Sequence, residues 1–224
     1  MKVSKLLMTG ALAILFFSSC KKSSSDTASS TMQFQLNTIN PVVVVNLVEG
    51  PGSIRWTSGS ANATQVKLEA KQNGSQLEFK STGPQQIDLF ASVLTSLGNI
   101  TIPAGNYTEV EFKIALNQNG SSPAMELSGQ YTSGTGTITP VAFNLNTLFE
   151  LKAEQNNVVV SSGTINALTT LDLSIVSNGI TQAMLNSATL TNGKIIISAS
   201  SNSNLYNIII NNLQQFHHVE VSHH

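Results

Sequence analysis

The stretch TQVKLEAKQNGSQLEFK, residues 64–80, decides the fold class of this chain. Apolar and charged residues alternate on both sides of Asn73-Gly74, a dipeptide that supplies the positive φ angles of a tight hairpin turn. Pairing about that turn places Leu68 opposite Phe79 on the apolar face. The sequence therefore predicts a β-hairpin with one buried and one charged face.

The same register places Glu69 opposite Glu78 on the charged face, and two like charges in that position are mildly unfavourable. A shift of one residue would turn every apolar side chain of the hairpin to solvent. Because burial of the apolar face outweighs the repulsion, we expect the register to hold.

Further strands are predicted wherever apolar residues alternate with polar ones or β-branched residues form a run. They cover Met32–Asn37, Val42–Val48, Ile54–Trp56, Ile100–Ile102, Val110–Leu116, Ala124–Tyr131, Thr137–Asn144, Leu148–Ala153, Val158–Ser161, Thr164–Val176, Lys194–Ser198 and Val219–Val221. The β-branched run Val42–Val45, which continues to Leu47-Val48, predicts a strand that is buried on both faces. The chain is therefore expected to be all-β with a few short helices.

Three segments are less regular. Gln86–Leu97 predicts a short strand followed by a helical turn, and Ile180–Asn186 a short helix. Asn204–Phe216 has apolar residues at helical spacing, and Ser201–Asn204 could cap its start. Its segment Tyr206–Ile210 is equally compatible with a strand, so the two interpretations remain open.

The amino-terminal residues have the pattern of an export signal. Lys2 and Lys5 precede an apolar run that ends at Phe17 and is too short to span a bilayer as a stable helix. Phe17-Ser18-Ser19-Cys20 resembles the lipobox of bacterial lipoproteins, with Phe17 where leucine is more usual. The resemblance implies a diacylglycerol on the sulfur of Cys20, cleavage before that residue, and stable anchoring through several acyl chains. The alternative is an ordinary secretory signal followed by a chance cysteine.

These patterns predict the organisation of the chain. Residues 1–19 form a lipoprotein signal peptide, 20–31 a lipidated flexible tether, and 32–224 a β-sandwich domain, with a sub-boundary near residue 177 where short helices begin. The tether is rich in serine and threonine and too poor in apolar residues to fold. We expect the protein in the cell envelope, anchored to the outer membrane.

Composition limits the partners. Only 10% of the residues are charged, and removal of the signal peptide leaves 9 basic and 12 acidic side chains. A net charge of about −3 argues against nucleic acid, whose phosphates require a basic surface. With Cys20 lipidated, no second cysteine remains for a disulfide, so apolar burial must supply the stability.

A family resemblance extends over residues 32–116. Ile87-Asp88-Leu89-Phe90, the corner Ile102–Thr108 and the alternating strand Val110–Leu116 resemble domain of unknown function 4382. That family is a β-sandwich module of bacterial lipoproteins, related to immunoglobulin-like and prealbumin-like folds, and the likeness extends toward Leu171-Asp172-Leu173. The resemblance implies an immunoglobulin-like or prealbumin-like sandwich and a surface location, and it brings no site residues.

All four histidines lie in the last eight residues, which makes the carboxyl terminus the candidate metal site. His217, His218, His223 and His224 flank Glu220, and such side chains bind Zn²⁺ or Cu²⁺. The alternative is a solvated tail, because fixed metal sites usually draw their ligands from separate elements.

Two further candidates come from charged and aromatic residues. Glu109 and Glu111 share a strand face, as the acid pair of a glycosidase does, although Lys113 on the same face favours a solvated surface. Trp56 beside Arg55 could stack on a sugar, but a single tryptophan is more often part of the core.

The sequence carries no nucleophile elbow, phosphate-binding loop or zinc-protease motif, and it predicts no cofactor. Its first functional interpretation is a non-enzymatic envelope lipoprotein that binds another envelope protein, a glycan or a host surface. The alternatives are an enzyme acting on glycans and a lipoprotein that captures metal through the histidine-rich tail.

Overall fold

A computed structural model describes residues 29–45, 52–92, 95–215 and 219–223. The predicted signal peptide, Cys20 and residues 21–28 of the predicted tether lie outside these ranges, as do His217, His218 and His224. For residues 219–223 the backbone path is described.

The described chain is mostly β-strand, as the alternating sequence predicts. Its strands are β1 (Ser29–Ile39), β2 (Val42–Val45), β3 (Gly52–Gln72), β4 (Ser75–Asp88), β5 (Thr95–Pro103), β6 (Gly105–Leu116), β7 (Met125–Thr132), β8 (Ile138–Leu145), β9 (Phe149–Val160), β10 (Gly163–Asp172), β11 (Leu190–Thr191), β12 (Lys194–Ile197) and β13 (Val219–His223). Its helices are α1 (Leu173–Val176), α2 (Gln182–Asn186) and α3 (Ser203–Gln214).

The strands form two sheets. The smaller has the order β13-β10-β1-β5, and the larger has the order β11-β12-β8-β7-β3-β6-β9, with β2 and β4 also paired to β3. Most neighbours are antiparallel, whereas β1 is parallel to β10 and β12 is parallel to β8. Strand β4 approaches β5 along one margin and β9 approaches β13 along the other, so the two sheets enclose a sandwich-like core.

The predicted hairpin is the centre of the larger sheet. Asn73 and Gly74 have φ angles of 50° and 76° and join β3 to β4. Leu68 lies opposite Phe79 and, on the other side of β3, opposite Phe112. The Phe112 ring stacks on Phe34 of β1 at a centroid distance of 4.4 Å. This stack joins the two sheets across the core.

Strand β3 is unusually long because it pairs with different neighbours in its first and second halves. Its first half pairs with β7 on one side and with β2 on the other, while its second half lies between β4 and β6. Bulges between Trp56 and Ser58 and between Ala63 and Gln65 interrupt the pairing. Such bulges bend a strand and increase its twist, which lets a single strand pass from one part to the other.

The helices pack on the part of the sheet that the first half of β3 supports. Phe143 of β8 stacks on Tyr206 of α3 at 5.9 Å, and Trp56 Nε1 donates a hydrogen bond to Ser177 Oγ at 3.2 Å. The buried side chains before and after residue 177 belong to one continuous cluster. Within the described ranges, no helix has the length and apolar character needed to cross a membrane.

Two predictions near the amino terminus need correction. Strand β1 begins at Ser29 rather than Met32, and the Ser30 hydroxyl donates to the carbonyl of Ser161, so the last residues assigned to the tether belong to the sheet. Strand β2 is not buried on both faces, because Val42 and Val44 are 50% and 63% exposed. It pairs only with β3 among the described strands, and its burial alternates as in an edge strand.

Three predictions further along the chain are also wrong in part. The predicted strand 164–176 ends at Asp172, whose side chain accepts from Ser174 N at 2.8 Å and caps α1. The strands predicted at 148–153 and 158–161 are one strand, β9. Strand β4 continues to Asp88 and a turn follows it, and no helix is present in the described part of 86–97.

The other predicted elements are confirmed in type. The helix predicted at 204–216 is confirmed as α3 over Ser203–Gln214, with residue 216 outside the described ranges; residues 180–186 contain α2, and β12 and β13 are strands. The expected side-chain cap of α3 is absent: the residue at that position is Asn202, and it makes no cap hydrogen bond. Its amide instead donates to the carbonyls of Thr189 and Ile196, which ties the start of α3 to β12 and the segment before β11.

A buried tyrosine fixes the corner between β5 and β6. The Tyr107 hydroxyl donates to the carbonyl of Pro103, four residues upstream, at 2.8 Å. Burial raises the pKa of this hydroxyl, so it stays protonated and able to donate at neutral pH. This is the arrangement called a tyrosine corner in immunoglobulin-like sandwiches.

Substitution Tyr107→Phe is expected to lower the free energy of unfolding by about 1–3 kcal/mol, because it leaves the Pro103 carbonyl without its donor. The matched control is Tyr206→Phe, which removes a hydroxyl with no hydrogen bond among the described residues and should cost less than about 0.5 kcal/mol. Urea denaturation of both variants measures the difference, and equal midpoints would contradict a structural role for the corner.

Candidate functional site

The outward face of the larger sheet carries two rows of like charges. Strands β4, β3, β6 and β9 place four lysines side by side in one row and four glutamates in the next. The lysine row is Lys80, Lys67, Lys113 and Lys152, and the glutamate row is Glu78, Glu69, Glu111 and Glu154. We call these eight residues the lysine–glutamate ladder. The predicted pairing of Glu69 with Glu78 is confirmed within it.

Ion pairs between the rows neutralise the ladder. Each lysine pairs with a glutamate on its own strand, and Lys67, Lys113 and Lys152 also pair with a glutamate of the neighbouring strand. The resulting chain of contacts alternates in sign and runs without a break from Lys80 to Glu154. Repulsion within each row is therefore offset by attraction between the rows.

The ion pairs stabilise the charged form of the glutamates. Hydrogen bonds from Lys67 and then Lys113 lower the pKa of Glu69 to about 2. Hydrogen bonds from Lys67 and Lys80 lower the pKa of Glu78 in the same way. Both carboxylates remain charged well below neutral pH.

The same network accounts for the two glutamates proposed as a glycosidase pair. Glu109 forms an ion pair with Lys71 at 2.8 Å, and Glu111 pairs with Lys113 and Lys152. The expectation of a solvated face is wrong at Glu111, whose side chain is only 8% exposed. Each carboxylate is thus held by lysines on the sheet surface, and the two do not face each other across a cavity.

The structure places Trp56 in the core and Arg55 on the surface. Trp56 is 1% exposed, and Arg55, the preceding residue of β3, points to the opposite, exposed side. The tryptophan ring therefore offers no open face for a sugar, and the core interpretation is confirmed.

The lipidation and metal predictions fall largely outside the described ranges. Cys20, His217, His218 and His224 are not among them, and His223 is the last residue of β13. Strand β13 extends from Val219 to His223, about 13 Å at 3.3 Å per residue. Among the described residues, no group of three or more histidine, cysteine, aspartate or glutamate side chains could hold a metal ion.

A cleft that the sequence did not indicate lies between the β7–β8 hairpin and α2. It has a volume of about 330 Å³ and a lining that contains no charged side chain. Hydroxyl and amide groups come from Tyr131, Ser133, Thr135, Thr137, Thr139, Gln182 and Asn186. Apolar side chains come from Leu185, Ala188, Leu190 and Ile195. We call this site the hydroxyl cleft.

Hydrogen bonds within the hairpin set the positions of the hydroxyls. Ser133 Oγ lies 2.8 Å from Thr135 Oγ1 and accepts from Thr137 N at 3.1 Å. Between the two walls, the Tyr131 hydroxyl of β7 donates to Asn186 Oδ1 of α2 at 2.7 Å. Burial raises the pKa of Tyr131, which keeps this donor protonated at neutral pH.

The lining of the cleft includes a buried side-chain amide whose oxygen accepts no hydrogen bond from the described residues. Gln182 is 7% exposed, and its Oε1 atom has no hydrogen-bond partner among the described residues. A buried acceptor without a partner costs about 1–3 kcal/mol. This oxygen is buried against the backbone of Gly52, so it is a cost of the fold and is not open to a ligand in the cleft.

One signal in the sequence could have indicated the cleft. Ser133, Thr135, Thr137 and Thr139 concentrate four hydroxyls in one seven-residue segment. The opposing wall, α2, follows about 50 residues later, and no local pattern joins the two.

Comparisons with known protein families, with characterised proteins and with solved structures give no match to this chain.

The lysine–glutamate ladder predicts that the protein loses stability in acid. The pKa of Glu69 is lower in the folded chain than its ordinary value of 4.5, so its contribution is complete above about pH 4.5 and is lost as the pH falls toward 2. Substitution Glu69→Gln should lower the stability at pH 7 by about 1 kcal/mol or less, and the difference from wild type should shrink toward pH 2.

Thermal denaturation from pH 2 to pH 7 tests this prediction. Glu150→Gln is the control, because Glu150 has no ion pair among the described residues, and it should change the stability by less than about 0.5 kcal/mol. A Glu69→Gln difference that stayed constant from pH 7 to pH 2 would show that the ladder does not contribute as argued.

Proposed function

We propose that this chain is a lipid-anchored protein of the cell envelope that acts as a non-enzymatic binding module and takes a neutral glycan into the hydroxyl cleft. The observation that carries the proposal is the lining of the cleft, which is rich in hydroxyl and amide groups and carries no charge. The lipobox resemblance at Phe17–Cys20 supports the anchor and the location, which we propose to be the outer membrane.

Ligand class follows from the groups in the cleft. Sugar hydroxyls both donate and accept hydrogen bonds, as do the Ser133, Thr135 and Thr137 hydroxyls. The apolar side of the lining, with Leu185 and Ile195, suits the C–H faces of a sugar ring. A charged ligand would lose its hydration there without a countercharge. The volume lies at the low end of the range for small-molecule sites, which suits one or two sugar rings.

Affinity is expected to be weak. Tyr131, the one aromatic residue of the lining, is buried, so the cleft has no aromatic platform on which a ring could stack. Hydrogen bonds to a solvated ligand contribute little net free energy each. A dissociation constant on the order of 1 mM corresponds to about −4 kcal/mol, and several copies on one membrane would raise the avidity.

We also propose that the sandwich is of the immunoglobulin-like or prealbumin-like kind. Two sheets facing across one core and the tyrosine corner at Tyr107 support this assignment. The helices α1 to α3 would then be an addition that covers the first half of β3.

Substitution Cys20→Ser is expected to release the protein from membranes, because it removes the sulfur that would carry the lipid. Cell fractionation and labelling with radioactive palmitate measure the change, with Ser19→Ala as a control that keeps a small residue before the cysteine. A Cys20→Ser variant that still sediments with membranes, or a wild-type protein without label, would overturn the anchor.

Glycan binding is tested with an array of neutral and acidic oligosaccharides, followed by NMR titration with a neutral one that binds. The double substitution Thr135→Val and Thr137→Val removes two hydroxyls with little change of shape and should weaken binding about tenfold, since each hydrogen bond contributes about 0.5–1.5 kcal/mol. Thr101→Val, on an exposed position of β5, is the matched control. Binding of acidic glycans alone, or equal binding by both variants, would contradict the proposal.

A further inference from the structure

The start of β1 marks one end of the sandwich. Ser29 pairs with Pro103 at the end of β5, and Ser30 pairs with Gly163 at the start of β10. Gly105 at the start of β6 pairs with Val160 at the end of β9.

The β3–β4 turn lies at the same end, because a Cβ atom on Gly105 would contact the side chain of Gln72. We call residues 29–30, 72–75, 103–106 and 159–163 the β1 end.

The β1 end carries no charged side chain. It consists of serine, asparagine, glutamine, glycine, proline, alanine and valine. Lys71 and Glu109, next to this end along β3 and β6, neutralise each other in an ion pair, and Asp26 lies three residues before Ser29 in the sequence. A neutral end of this kind neither attracts nor repels anionic lipid electrostatically.

The length of chain before β1 limits how far this end can be from a lipid anchor. Eight residues separate Cys20 from Ser29, and a fully extended chain covers at most 3.3–3.6 Å per residue, so the gap is at most about 30 Å. Any lipid on Cys20 therefore keeps the start of β1 within about 30 Å of the bilayer.

The hydroxyl cleft lies at the opposite end. Its hairpin follows Thr132, which pairs with Ser53 at the start of β3. Strand β3 runs from there to Gln72 in the β1 end, about 20 residues at roughly 3.3 Å each, a path of about 60 Å along the strand. The bulges bend the strand, so the straight-line distance is shorter than this path.

We propose that the β1 end faces the lipid bilayer and that the hydroxyl cleft faces away from it. The surface that meets the membrane is the neutral end formed by the β3–β4 turn, the β5–β6 corner and the β9–β10 loop, and its partner is the lipid headgroup layer. The inference rests on the lipid anchor of the proposed function. It assigns the cleft to ligands outside the membrane and not to lipid.

The experiment measures energy transfer from the protein to the membrane. The acylated full chain is inserted into phosphatidylcholine vesicles that contain a trace of headgroup-labelled acceptor lipid. Cys20 is the only cysteine and is blocked by its lipid, so Ser75→Cys and Thr135→Cys each introduce a single thiol for the donor dye. Ser75 lies in the β1 end, and Thr135 lies in the cleft.

We expect the donor at residue 75 to transfer efficiently and the donor at residue 135 to transfer several-fold less. Addition of anionic phosphatidylglycerol should leave residue 75 the stronger donor, because the β1 end is uncharged and Lys21 and Lys22 beside the anchor are the same in both variants. Equal transfer from both positions, stronger transfer from residue 135, or a reversal by anionic lipid would overturn the orientation.

Failure of the anchor gives a different result. In that case the wild-type chain does not bind the vesicles at all and matches the Cys20→Ser variant, which overturns both proposals. A chain that binds through Cys20 but shows equal transfer overturns the orientation alone and leaves the anchored binding module in place.

Discussion

The structure depends on one pairing register of the larger sheet. This register places a row of apolar side chains on the core-facing side of the sheet and the lysine and glutamate rows on its outward side. Phe79, Leu68, Phe112 and Ala153 form the inner row across β4, β3, β6 and β9. Each is flanked along its strand by a lysine on one side and a glutamate on the other. Side chains alternate between the faces of a strand, so the burial of the inner row fixes the position of every charge in the ladder.

A comparison of the free energies explains why burial of the apolar row, and not repulsion between the charges, sets the register. Burial of a leucine or phenylalanine side chain contributes about 1.5–3 kcal/mol, whereas a like-charge pair across two strands costs a few tenths to about 1 kcal/mol. The Phe34–Phe112 stack adds the contact that holds the smaller sheet over this row. The ion pairs of the ladder reduce the repulsion that this register creates between like charges on neighbouring strands, because each lysine has glutamates within reach along its own strand or across it.

The hairpin at residues 64–80 could be predicted from the sequence because its pattern, turn and partner are all local. Strand β2 and helix α1 could not. A run of valines indicates a strand but not how many neighbours it has, and β2 is an edge strand with β3 as its only described partner. The alternation before Val176 indicates a strand, yet Asp172 caps a helix there, which lets Leu173 and Val176 pack into the core. These outcomes depend on tertiary contacts that no local pattern contains.

The candidate site was missed for the same reason, and its chemistry differs from that of the sites the sequence favoured. Charged and aromatic residues are the usual candidates for functional sites in a sequence. Here the glutamates are held in ion pairs with lysines, and Trp56 is in the core. The charge of the described chain is concentrated in the middle of the sheet, and both the β1 end and the hydroxyl cleft are neutral. Recognition at either end must therefore depend on shape and hydrogen bonds rather than on long-range electrostatics. A protein held at a membrane by acyl chains needs no electrostatic steering to remain there, so neutral ends are compatible with an anchored binding module.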